Sequence, residues 1–421
     1  MTLKITSVTA HRLRVPIGGA VFWSSQNRFP ERNSCLIRVQ TDGGPTGWGE
    51  AGQWGPGEPP AAIAEQVLGP RLIGRDPTQP AVIWEELYAT TRDFGRAGAY
   101  AEAISGIDIA LWDIAGQAAG LPIWKLLGGR HRETVEAYAT GLYYRDDHDD
   151  RAARLAAVEA EAQGFAEAGF RYVKGKIGLL RPDEDLERVA RAREVLGPGI
   201  GLAMDANHAY SAATAVRVAR GLADLGCLFF EEPVMPEDRD GYRKVRAEGG
   251  LPIAGGECDA TRYGFRELIA GGCVDIAQPD LGACGGFTAF QQIKALAAAQ
   301  EVLVMPHVWG SGVALAAGLH AVASVAPTPF TARPVTLVNA PAIEFDRTRN
   351  PLRDDLLETP FSLTDGALPI PDGPGLGIRL NAEALHRFAA QGGAASPAPR
   401  RASPTARAAR SRSQRFSGSR S

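Results

Sequence analysis

No run of about 18 consecutive apolar residues occurs in the 421 residues, so no membrane-spanning helix is expected. The opening MTLKITSVTAHRLRV alternates like a strand. It lacks the apolar stretch and small-residue cleavage site of a secretory signal, so a cytoplasmic chain is expected. Cysteine is scarce: Cys35, Cys227, Cys258, Cys273 and Cys284 are five in number and form no CxxC, so neither a disulfide framework nor a zinc site is suggested. All five read as buried small apolar groups, with the Cys258 side chain turned away from that of Glu257 by strand alternation. The glycine-rich stretches GGECDA, GACGGF and GPGLGI lack the GxGxxG and GxxxxGK[ST] frames, so no nucleotide loop is read. The body is also short of positive charge. Seven arginines sit in residues 393–421, and without them 38 basic residues face 48 acidic ones. That balance argues against nucleic acid as the main partner. The tail itself is low-complexity Ala/Ser/Arg/Pro and is expected to be disordered, an inert extension rather than an arm for RNA or anionic surfaces.

What is present fits a soluble globular chain: 45% hydrophobic and 22% charged residues, long enough for a barrel plus a smaller domain without disulfide staples. Residues 1–132 read as two strands, 5–15 and 34–41, followed by helices, with Gly43-Gly44 as the turn before GWGEAG. Between the strands, VPIGGAVFWSSQNRFPERN has no clear period and several aromatics, which makes residues 21–33 a candidate substrate-covering loop. Residues 99–127 carry apolar side chains at helical spacing and predict one buried helix stopped by Gly128-Gly129. Over residues 133–345 the pattern changes. VEAYAT, RYVKGKI, GLAMDA, LFFEEP, PIAGGE, VDIAQPD, VLVMPH and PAIEF alternate with alanine-rich helices, the signature of a TIM-like (β/α) barrel in the α/β class. Residues 346–392 return to Pro/Gly-rich coil and one short helix, expected to pack on the first domain.

The acids at the strand ends carry the chemistry. Asp205, Glu231 and Glu257 follow one another at 26-residue intervals, about one β/α unit when eight units take ~250 residues. The spacing therefore predicts three carboxylates at one height on neighbouring strands, at the face where barrel enzymes keep their active sites. Singly, each would read as a solvated strand end. Together they need a cation, and an oxygen-only set favours Mg²⁺. One strand upstream, Lys174 and Lys176 share the inward face, and mutual repulsion beside a metal predicts lowered pKa values, leaving Lys176 neutral as a general base. KxK alone is more often a surface strand; its place one unit before Asp205 gives it weight. Asp280 and His307 end the next two strands beyond Glu257, and the Asp280 carboxylate is expected to fix the His307 tautomer. Glu344 ends the last strand and is expected to be protonated, donating a hydrogen bond to a developing oxyanion. Asn207 is expected to aim its amide at a substrate hydroxyl, and Glu232 to point away from the interior.

The chain resembles the enolase superfamily, mandelate racemase-like branch, in SGIDIALWDIAGQAAGLPIWKLLGG, KGKIG, MDANHAY, FFEEPV, QPDLGACGGF, MPHVWG, IEFDRTRNP and PDGPGLGI, over residues 3–392. The resemblance implies a capping domain made from both chain ends over a modified barrel. It also implies Asp205, Glu231 and Glu257 as metal ligands, Lys176 as base with Lys174 as its pKa modulator, Asp280–His307 as a dyad, and Glu344 as the acid that polarises the substrate carboxylate. DANHAY, FEEPVMPE, RYG, MPHVWGSGV and IEFDRTRNPLR are more closely similar to cycloisomerases of galactarolactone and 3,6-anhydrogalactonate type. The implied activity is Mg²⁺-dependent removal of the proton next to a sugar-acid carboxylate, followed by β-elimination. Racemisation or epimerisation is the runner-up, and a non-catalytic binder the alternative of another class. A homo-oligomer is expected, with no membrane partner.

Overall fold

Alternation over the first forty residues produces the strands Ile5–Pro16 and Glu31–Thr41, paired antiparallel. A third strand, Thr46–Glu50, continues this sheet, where the sequence reading has only a turn and a GWGEAG motif. The glycines of that motif explain both the strand and its place. A Cβ on Gly47 or Gly49 would lie 2.0 Å from the backbone oxygen of Ala110 or Gly106, so only glycine lets the strand lie flush on helix Ala99–Ala119. The single helix predicted over residues 99–127 is two. It ends at Ala119 because Gly120 turns left-handed at φ 67°, and after Pro122 a separate turn, Ile123–Leu126, begins. The computed structural model describes residues 3–52, 54–146 and 150–390; the arginine-rich tail lies outside them.

All eight barrel strands form: Thr134–Thr140, Tyr172–Lys176, Gly201–Asp205, Phe230–Glu231, Ile253–Gly255, Ile276–Ala277, Leu303–Val304 and Ile343–Asp346. The first seven pair in parallel in chain order, and the eighth returns beside the first. Among the described residues no ladder joins the seventh to the eighth. Tyr138, Ala203, Phe229, Ala254, Ile276, Leu303, Met305 and Ala342 form one apolar cluster of their own. Their alternate neighbours on the strands pack into the main core, which the helices share. No described helix is long and apolar enough to cross a membrane. Toward the C-terminus, Ala367–Pro369 pairs antiparallel with the start of the first barrel strand, and helix Ala382–Ala390 lies against strand Ile5–Pro16.

Three buried acids tie the N-terminal layer to the rest. Glu50 accepts hydrogen bonds from Ser34 Oγ (2.8 Å) and from the backbone N–H groups of Ser311 and Ala314 (both 3.1 Å) at the start of helix Gly312–Ala323. Asp108 accepts from Thr288 N and Oγ1 at 3.0 and 2.6 Å. Asp113 accepts from Trp48 N and Leu376 N at 3.0 and 2.9 Å. Burial raises all three, to about 7 for Glu50, about 7 for Asp108 and about 6 for Asp113, against hydrogen bonds that pull the other way. The folded state thus keeps protons that the unfolded chain releases near pH ~4. The stability they contribute is complete below that value and is lost as pH rises through 6–7. The buried His320, lowered to about 4 by burial, opposes this only below its unfolded value of ~6.5. The melting temperature is therefore expected to fall between about pH 6.5 and 8, and Asp108→Asn should flatten part of the fall. A steady rise across that window would contradict the assignment.

Candidate active site

Parallel register sets the first part of the site. Lys176 pairs across the ladder with Asp205, and Asp205 with Glu231, so the three face inward at one height. Glu231 in turn pairs with Ala254, and Glu257 lies three residues further on. It reaches the same level because its strand ends at Gly255 and Gly256 turns at φ 127°. Carboxylate oxygens of Asp205, Glu231 and Glu257 come within 4.8 Å of one another; the first two residues are fully buried and Glu257 is partly open. Lys174 and Lys176 are both buried on the inward face. Lys176 Nζ bonds Asp205, while Lys174 Nζ lies 2.6 Å from Glu231 and 3.1 Å from Glu344.

The expected lowering of the lysine pKa values presumes a cation among the carboxylates; the protein groups by themselves act the other way. Burial pulls both ammonium groups down, but the carboxylates outweigh it: Asp205 raises Lys176, and Glu231 and Glu344 raise Lys174. Both are held above the usual lysine range, so the two lysines' mutual repulsion is the smaller effect. Glu344 departs from its expected protonation. Burial raises it, yet Lys174 and His307 bring it below the usual range, so it sits ionised rather than as a proton donor. It accepts from Thr140 Oγ1 at 2.5 Å and from Val308 N at 3.4 Å.

Further along the barrel, His307 Nδ1 lies 2.7 Å from Asp280 Oδ2, and Nε2 lies 3.4 Å from Glu257. Burial lowers the imidazole, but Glu257, the Asp280 hydrogen bond and Glu344 carry it up to about 10. Lys176 and His307 line one cavity. The 21–33 segment lies over it as a small hairpin, Phe22–Trp23 against Arg28–Phe29, pinned to Tyr144–Arg145, and it contributes Ser24, Asn27 and Phe29 to the lining. Asn207 also lines the cavity. Its Nδ2 donates to Glu232 Oε2 at 3.2 Å, while its buried Oδ1 has no hydrogen-bond partner among the described residues. Glu232, expected to point away from the interior, is buried, and its carboxylate meets Asn207 and His208, which line the cavity.

Cys258 departs from its expected burial. It is exposed and lines the cavity, because strand alternation stops at Gly255. The sequence reading also passes over Gln278, whose Nε2 donates to Glu231 Oε2 at 2.7 Å, over Trp54, set edge-on to the His307 ring at 5.4 Å, and over the Trp309–Tyr143 pair, bonded at 3.0 Å. Only Gln278 has a local signal, two positions before Asp280; the others are brought in by loops.

Comparison with known proteins follows the same outline. The family model for the N-terminal domain of mandelate racemase / muconate lactonizing enzyme matches residues 6–128, and the one described as enolase C-terminal domain-like matches residues 157–384. The chain is 44% identical over 389 residues to the D-galactarolactone cycloisomerase of Agrobacterium fabrum, covering 92% of this chain and 99% of that one. It superposes on the crystal structure of the 3,6-anhydro-D-galactonate cycloisomerase of Zobellia galactanivorans with a TM-score of 0.80, at 35% identity, covering 91% and 99% of the two chains. A racemase from Streptomyces coelicolor, solved with bound magnesium, gives a TM-score of 0.80 at 31% identity over 91% and 99%.

Proposed function

The chain belongs to the mandelate racemase / muconate lactonizing enzyme branch of the enolase superfamily, and from that premise we propose that it removes the proton next to the carboxylate of a sugar acid, its lactone or its anhydro form. The enediolate so formed expels its β-oxygen, a cycloisomerase or dehydratase outcome, to give a 2-keto-3-deoxy acid. One observation carries the reading: a carboxylate triad reaches, through Glu257, the cavity that Lys176 and the Asp280-bonded His307 also line.

We assign Asp205, Glu231 and Glu257 as ligands of one Mg²⁺, because three converging oxygens with no soft donor among them suit a hard cation. Bound there, magnesium would act as a Lewis acid on the substrate carboxylate and engage the Asp205 charge that otherwise holds Lys176 protonated. Lys176 is the base that takes the α-proton. His307, oriented by Asp280, gives its Nε2 proton to the departing oxygen. Lys174, anchored between Glu231 and Glu344, keeps a fixed positive charge beside the site where oxyanion charge develops. Asn207 Oδ1, an unsatisfied acceptor, receives a substrate hydroxyl. The partition that goes with this reading is a cap from residues 1–132 and 346–392 over a barrel of residues 133–345.

Two proton-transfer groups on one cavity also permit racemisation or epimerisation, the second reading. A panel of aldonates, aldarates and their lactones, assayed with Mg²⁺ and with chelator, separates the two. Metal-dependent 2-keto product is expected from one class. Inverted substrate with no 2-keto compound would replace elimination by 1,1-proton transfer.

A further inference from the structure

The strands that carry the carboxylate triad also carry a second group, one to three residues further along. Beyond Asp205 comes His208, beyond Glu231 comes Glu232, and beyond Glu257 comes Cys258. Ligand atoms of His208, Glu232 and Cys258 lie within 4.8 Å of one another. His208 Nε2 is 3.2 Å from Glu232 Oε2 and 3.6 Å from Cys258 Sγ. A tetrahedral centre with bonds of about 2.0–2.3 Å to N, O and S places its ligands roughly 3.3–3.6 Å apart, so these two edges already have the required length.

The outer contacts point the same way. His208 Nδ1 lies 3.4 Å from the Val234 backbone oxygen, and Asn207 Nδ2 donates to the Glu232 carboxylate. A ring nitrogen that donates to a carbonyl leaves the other nitrogen's lone pair free, and this support is typical of a metal-binding histidine. Here that lone pair faces a carboxylate oxygen and a sulfur, both of which a cation between them would satisfy. His208 and Cys258 line the cavity, so a fourth position opens toward it.

We propose that His208 Nε2, a Glu232 carboxylate oxygen and Cys258 Sγ form a second metal site, separate from the carboxylate triad, for a borderline-soft divalent cation of the zinc class. Thiolate, imidazole and carboxylate together select such an ion over magnesium, which takes oxygen ligands. On binding, the S–H bond breaks, a metal–sulfur bond forms and the proton goes to solvent. An ion held there narrows the cavity beside Lys176 and His307, so zinc inhibits turnover even when magnesium is in excess. That consequence rests on the catalytic reading above; the metal site does not.

Cobalt(II) is the probe, titrated into the full chain in excess Mg²⁺ with no substrate present. One equivalent should bind with a thiolate-to-cobalt charge-transfer band and the strong visible absorption of tetrahedral cobalt. Cys258→Ser should abolish the charge-transfer band. His208→Gln, a second variant checked for wild-type circular dichroism, should weaken binding by more than about tenfold. Cobalt in an oxygen-only site gives neither strong absorption. Their absence in the wild type, or a thiolate band that survives Cys258→Ser, would overturn the site and leave a hydrogen-bonded triad.

Discussion

Lys176→Ala is expected to lower turnover by about 10²–10⁴-fold, the usual contribution of a positioned general base, and His307→Asn by a similar factor. The two losses should differ in kind. Lys176 takes the proton in the first bond-breaking step, so its loss should slow release of the α-proton as much as it slows turnover. His307 acts on the leaving oxygen, so its loss should leave slow exchange of the α-proton with solvent. Both side chains are buried beside opposite charges, Lys176 against Asp205 and His307 against Asp280. Each variant therefore needs a circular dichroism spectrum and a melting curve beside its kinetics. Retained turnover in both, with the fold intact, would mean that the bases lie elsewhere.

Asp205→Asn is expected to damage stability and metal binding together. The carboxylate is completely buried, bonded to Lys176 and 4.0 Å from Lys174. Burial raises its pKa, but the two lysines bring it to about 2, so it is charged at any working pH. Replacing it leaves the Lys176 ammonium buried without its main partner. Removing one member of such a pair typically costs about 3–5 kcal/mol, readable as a lower denaturant midpoint. Magnesium should raise the melting temperature of the wild-type chain, since a ligand that binds only the folded state stabilises it. The variant should lose that rise. Wild-type stability with an unchanged magnesium response would remove Asp205 from the ligand set.

Much of the site is written locally. Strand register with period two puts Lys174 and Lys176 on one face, and the even spacing from Asp205 to Glu231 follows from the length of one β/α unit. Asp280 and His307 were legible for the same reason: neighbouring strands deliver their ends to one rim. What escaped depends on three-dimensional sums that spacing does not contain. Glu344 stays charged because Lys174 and His307 converge on it. Cys258 broke the alternation rule because its strand is only three residues long. Trp54 and Tyr143 arrive from segments whose path is set by packing, and the early stop of the long helix came from Gly120 and Pro122, where apolar periodicity continues although the backbone cannot.

Removal of the α-proton is the step on which every assigned role depends. The most direct measurement takes a sugar acid or lactone that turns over, labels it with deuterium at the carbon next to the carboxylate, and follows the label with Mg²⁺ present. The label should pass to solvent and turnover should slow by a primary isotope effect, and Lys176→Ala should slow release of the label together with turnover. Turnover that keeps the deuterium in place, as in simple hydrolysis of a lactone, would contradict the account.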